Sequence, residues 1–235
     1  MTDSGRTTEP QASAARRKVI RNGLAIGLAT ATYGVSFGAL SVAAGLSVWQ
    51  TCALSLLMFT GASQFAFVGV LSAGGGAPAA AATAALLGTR NALYGLHLSS
   101  VLGLRGPRRA VAAQFVIDES AAMSLANRDP RLARLGFWVT GLAVFGCWNS
   151  ATLLGGLGAQ LLSDPKVLGL DAVAPAAFAA LIAPRMRSRA TWLAAICAAV
   201  LALATVPFTP PGIPVLVAAC VVGAGVLWTA RSRQA

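Results

Sequence analysis

Three long stretches of the chain, residues 22–89, 135–163 and 190–230, carry no Asp, Glu, Lys or Arg. A soluble helix cannot run that far without a charged outer face. In hydrocarbon the same pattern is required, because about 20 apolar residues are needed to cross roughly 30 Å. Hydrophobic segments can be drawn over residues 19–46, 48–73, 78–102, 110–127, 134–161, 167–183, 190–207 and 212–230. Turn residues punctuate them. Gly74, Gly75, Gly76 and Pro78 divide the second from the third, and Gly106 and Pro107 precede the fourth. Asp129 and Pro130 follow the fourth, Asp164 and Pro165 end the fifth, and Pro207, Pro210, Pro211, Gly212 and Pro214 mark the last turn. The pattern predicts an all-α, polytopic integral membrane helical bundle of about seven to eight transmembrane segments. Residues 1–18 read as a disordered cytoplasmic tail, 19–230 as the membrane domain and 231–235 as a second cytoplasmic tail.

Several segments look built to break. The first holds Thr30, Thr32, Tyr33, Gly34, Ser36 and Gly38 near its middle, the second holds Gly61-Ala62-Ser63-Gln64, and the sixth holds Pro175 one turn after Asp171. Irregular backbone at membrane depth survives only where protein or a cavity satisfies its polar groups, and transporters commonly place substrate at such discontinuous helices. Close packing of small residues is the competing reading for the glycines.

Composition agrees: 56% of residues are apolar and 11% charged, with a mean hydropathy of +0.70, against about a quarter charged in a soluble domain. The net charge of +11 does not imply nucleic acid. The basic residues form short clusters between apolar runs, with no aromatic residues interleaved. They are Arg16, Arg17, Lys18 and Arg21; Arg105, Arg108 and Arg109; Arg128, Arg131 and Arg134; Arg185, Arg187 and Arg189; and Arg231 and Arg233. If all eight segments cross, every cluster shares the cytoplasmic side except that at 105–109. Either that loop breaks the rule, or one segment is re-entrant and the count is seven. The fourth segment, with Asp118 and Glu119 in its middle, is the weakest span.

Ionisable residues within membrane spans are expensive and therefore functional candidates. Arg90, Asp118, Glu119 and Asp171 stand out. Arg90 suits an intramembrane ion pair or a substrate carboxylate, because its planar fork matches both. Either Asp could carry a coupling proton. Asn149 and Thr152 share a face three residues apart, so they line a cavity or join two helices. The isolated cysteines lack metal-ligand spacing, and no zinc-protease, nucleophile-elbow or phosphate-loop motif occurs. Neither metal nor cofactor is expected, and the chain does not read as an enzyme.

Five stretches, in order, resemble the AzlC family of large subunits of two-component branched-chain amino acid permeases. They are Phe59-Thr60-Gly61-Ala62-Ser63-Gln64-Phe65; Arg90-Asn91-Ala92-Leu93-Tyr94-Gly95; Asp118-Glu119; Trp148 with Thr152 and Gly155; and Leu168-Gly169-Leu170-Asp171 through Pro175, Ala176 and Phe178. The resemblance implies a multi-pass protein of the bacterial inner membrane that carries out export or permeation of apolar amino acids beside a small AzlD-type subunit. Tyr33, Gly34, Ser36, Phe37, Gly61, Ser63, Gln64, Phe65, Asn91, Asn149 and Thr152 would then contact substrate. Arg90, Asp118, Glu119 and Asp171 would gate or couple. The alternatives are a non-transporting membrane scaffold and a transporter of another small solute.

Overall fold

The computed structural model describes residues 9–161, 179, 183, 186–210 and 212–232. Among them, all regular structure is helical. The helices are α1 (Glu9–Ala43), α2 (Val48–Leu57), α3 (Ala62–Ser72), α4 (Ala77–Leu102), α5 (Pro107–Gln114), α6 (Asp118–Leu125), α7 (Pro130–Gln160), α8 (Arg189–Thr205) and α9 (Ile213–Ser232). A 3-10 turn, Val206–Phe208, extends α8. Three helical stretches, Pro10–Ala43, Pro130–Gln160 and Arg189–Phe208, are long and apolar enough to cross a membrane, and shorter apolar helices accompany them. The sixth segment, with Asp171 and Pro175, lies outside the described residues.

The first segment does not break. Its hydroxyls are satisfied within the helix: Thr30 donates to the Gly27 carbonyl, Thr32 to Ala29, Ser36 to Thr32 and Ser41 to Phe37. Its glycines serve packing. Gly23 lies against Thr140, Gly27 against Ala143, Gly34 against Trp148 and Ala151, and Gly38 against Thr152 and Gly156. The numbers rise together, so α1 and α7 run parallel with their backbones in near contact. The helix already includes Glu9, ten residues before the expected start. Residues 9–18, read from sequence as tail, are helical because Ala12, Ala14, Ala15, Arg16, Arg17 and Lys18 are strong helix formers.

The second segment breaks where expected, and then turns back. α2 runs antiparallel to α7: Val48 touches Gly156, the Ser55 hydroxyl reaches that of Thr152, and the Phe59 ring meets Phe145 at mid-helix. α3 then returns. Phe65 packs on Phe37 and Trp148, and Val70 meets Gly212 beside Ala79 of the following helix. Both ends of this hairpin therefore lie on one face of the bundle.

Helix α4 crosses to the other face, antiparallel to α7. Leu98 and Leu102 cluster with Phe137, and the Arg134 guanidinium donates to the Val101 carbonyl. The fourth segment is a second hairpin, from that opposite face. Phe115, at its tip, packs on Gly141 and Phe145, whereas Met123, further along α6, packs on Gly136. Both hairpin tips thus meet Phe145, midway along α7. Where the sequence left open seven or eight segments, with one of them re-entrant, the second and the fourth each fold back at a break, and hydropathy does not distinguish such a hairpin from a crossing.

The consequence is a single basic face. α1 begins there, α4 ends there and α7 begins there, which gathers the clusters at 16–21, 105–109 and 128–134 on one side. The opposite loops, 44–47 and 73–76, are uncharged.

Candidate functional site

A helix that ends in mid-bundle leaves carbonyls without partners, and hydrocarbon supplies no water for them. At the end of α2, Gln64 and Gln114 take this role. The fully buried Gln64 amide donates to the Leu54 and Ser55 carbonyls, and its oxygen accepts from the Gly61 N–H. Gln114 donates to the Leu56 carbonyl at 2.6 Å. Gly61, at φ 65°, makes the turn that a side chain would strain. We expect Gln64→Ala to cost about 1–3 kcal/mol for each buried group left unpaired. The melting temperature of detergent-solubilised protein should fall about 2–4 °C per kcal/mol.

Closing hairpin α2–α3 in this way aims the first turn of α3 at a cavity of about 240 Å³. That volume lies just below the usual 300–1,000 Å³ of drug-sized pockets and suits a small solute. Its wall includes Thr30 and Tyr33 of α1, residues 59–62 and Phe65 of the first hairpin, Leu87 and Arg90 of α4, residues 117–119 of the second hairpin, and Val144 and Trp148 of α7. Two helix amino-termini, those of α3 and α6, open onto it. Their first N–H groups lack intrahelical acceptors and favour negative charge.

Arg90 is the centre of this site. Its Nη1 pairs with Asp118 Oδ2 at 2.6 Å, and its Nη2 donates to the Thr60 carbonyl at 3.4 Å. One side chain from a continuous helix therefore holds the tips of both hairpins. Hydrogen-bonding capacity remains: Arg90 Nε, Asp118 Oδ1 and Trp148 Nε1 are buried without a hydrogen-bond partner among the described residues. The wall thus sets the Arg90–Asp118 pair and the Trp148 ring among apolar surface from Phe59, Phe65, Leu87, Ile117 and Val144.

The structure brings six of the residues singled out from sequence to this cavity: Tyr33, Gly61, Phe65, Arg90, Asp118 and Glu119. Others lie elsewhere. Gly34 faces α7, Ser36 bonds within α1, and Phe37 is fully buried under Phe65 and Trp148. Ser63 is buried against Gly88, and the hydrogen bonds of Gln64 are occupied by backbone. Thr152 joins α7 to α2 through Ser55, and Asn149 donates to the Phe145 carbonyl. Asn91 lines a separate cavity of about 330 Å³ behind the hairpin tip, with Met58, Thr60 and Gln114. Asp171 lies outside the described residues. Sequence reasoning did not pick Gln114, a lone amide at the start of the weak fourth segment, nor Trp148 as part of the cavity wall.

A small cavity between two interrupted helices, in an all-helical bundle with membrane-length apolar helices, is an arrangement in which transporters commonly hold substrate. The AzlC family model, described as AzlC protein, matches residues 25–162. The chain belongs to the AzlC family. No curated protein and no solved structure matches it.

Proposed function

We propose that the chain is the substrate-carrying subunit of a secondary transporter that exports branched-chain or other apolar amino acids across a bacterial inner membrane. It works beside a small AzlD-type subunit and is driven by the proton gradient or the membrane potential. One elementary charge moved across that potential is worth about 2.3 kcal/mol per 100 mV. The observation that carries the reading is the match between a zwitterion and the cavity wall. The Arg90 guanidinium, the Trp148 ring and the first turn of α3 suit a carboxylate, and the Asp118 carboxylate suits an ammonium. Phe59, Phe65, Leu87 and Val144 suit an aliphatic side chain. Arg90 and Asp118 form the coupling pair, because a substrate that takes up either charge must loosen the bond between the hairpin tips.

Ligand that binds only the folded state stabilises it, by about 2.7 kcal/mol at one hundred times Kd. Leucine, valine and methionine should therefore raise the melting temperature of the purified protein, alone or with its small partner, while lysine and glutamate leave it unchanged. A melting temperature indifferent to every apolar amino acid in both preparations would favour another solute or the scaffold reading.

A further inference from the structure

Each arm of the first hairpin has 10 or 11 residues and each arm of the second has eight. At 1.5 Å per residue, each arm covers about 12–17 Å, roughly half of a 30 Å hydrocarbon core. Both hairpins reach Phe145 at the middle of α7, from opposite faces. α2, α3 and α6 pack on α1, α4 and α7, and the two hairpins pack little on one another. Tip to tip, Gln114 Nε2 donates directly to the Leu56 carbonyl at 2.6 Å, with Arg90 bridging Thr60 and Asp118 alongside.

We propose that α2–α3 and α5–α6 are re-entrant gates opening to opposite sides of the membrane, and that Gln114 is the latch that holds both closed over the Arg90 cavity. The basic face is cytoplasmic. With both hairpins re-entrant, the clusters at 16–21, 105–109 and 128–134 all obey the positive-inside rule, and the uncharged loops 44–47 and 73–76 lie outside. The α8–α9 turn agrees, since Gly212 sits against Val70 and Ala79 at the uncharged face. Withdrawing either hairpin separates the Gln114 amide from the Leu56 carbonyl. The bond therefore stabilises the doubly closed state over either open one. Gln114 acts through the hairpins and does not line the cavity, so it is a positioning residue.

The gating role rests on the transport reading; its test needs no substrate, so the two fail separately. Cys52, Cys147, Cys197 and Cys220 are replaced by serine, and single cysteines are labelled in sealed vesicles with a membrane-impermeant thiol reagent. Arg108→Cys should react from the side that carries the amino-terminus, and Gly75→Cys from the other. Serial crossing reverses both assignments, and that result overturns the re-entrant topology. Ala62→Cys, at the cavity wall, should then react about threefold faster or more when Gln114→Ala is added, the factor expected for one lost solvent-exposed hydrogen bond. Ala80→Cys, buried in α4 away from the tips, should stay unreactive in both backgrounds. An Ala62→Cys rate unchanged by Gln114→Ala overturns the latch, as does an equal rise at Ala80→Cys, which marks general loosening.

Discussion

Arg90→Ala is expected to reduce substrate flux by about 100-fold or more while leaving most of the protein folded. The two consequences separate because of where the pair sits. The Arg90 and Asp118 side chains are 29% and 28% exposed, so neither is fully desolvated. Breaking a fully buried pair costs about 3–5 kcal/mol; here solvent screening reduces the loss to about 1–2 kcal/mol. The site loses far more. The only cation among its described lining residues disappears, and Asp118 is left to repel the incoming carboxylate. A charged hydrogen bond to substrate is worth about 1.5–3 kcal/mol, and the repulsion adds to it. Asp118→Asn should impair flux by removing the charge that pairs with Arg90. Arg90→Lys should retain part of the activity, since it keeps the charge but cannot hold Thr60 and Asp118 through one planar fork. Flux per unit of folded protein, from size-exclusion profiles and uptake on the same preparation, reads both effects.

Gly38→Val and Gly155→Val should be the most destabilising single changes in the described fold. A Cβ on Gly38 would collide with the Thr152 carbonyl oxygen, and one on Gly155 with the Val35 carbonyl oxygen. Both partners are helix backbone and cannot rotate away, so α1 and α7 must separate along their shared length. Overpacking of a tight interface costs about 1–3 kcal/mol, and a backbone-to-backbone clash lies at or beyond the upper end. Gly146→Ala is the control, because a Cβ there meets nothing within 4 Å. Its melting temperature should stay within about 2 °C of the parent's, against a fall of about 6 °C or loss of folded protein for either valine.

The helices were legible in the chain because hydropathy and turn residues mark them locally. Pro78 and the left-handed Gly103 bound α4, and Asp129 with Pro130 opens α7. The break near Gly61 was legible too, from a run of small and polar residues that a continuous apolar helix does not need. The direction taken after each break was not. A hairpin and a crossing of equal length share one hydropathy profile, and they differ only in contacts such as Gln64 to Leu54 or Met123 to Gly136. One clue did sit in the sequence: Arg105, Arg108 and Arg109 could not be cytoplasmic under serial crossing. Within the site, charge at membrane depth pointed to Arg90 and Asp118. Polar residues such as Thr32, Gln64 and Thr152 had the same signature, yet their hydrogen bonds go to backbone or to a neighbouring helix. A pattern of residue types cannot say which polar group faces a cavity and which holds the fold together.

The central claim is that an apolar amino acid is carried through the Arg90 cavity. Counterflow of labelled leucine in proteoliposomes tests it most directly, with the chain alone and with its small partner subunit, in parent and Arg90→Ala forms. The account predicts leucine uptake that is competed by valine and methionine and lost in Arg90→Ala. Full counterflow in folded Arg90→Ala, or none in the parent with either preparation, would contradict it.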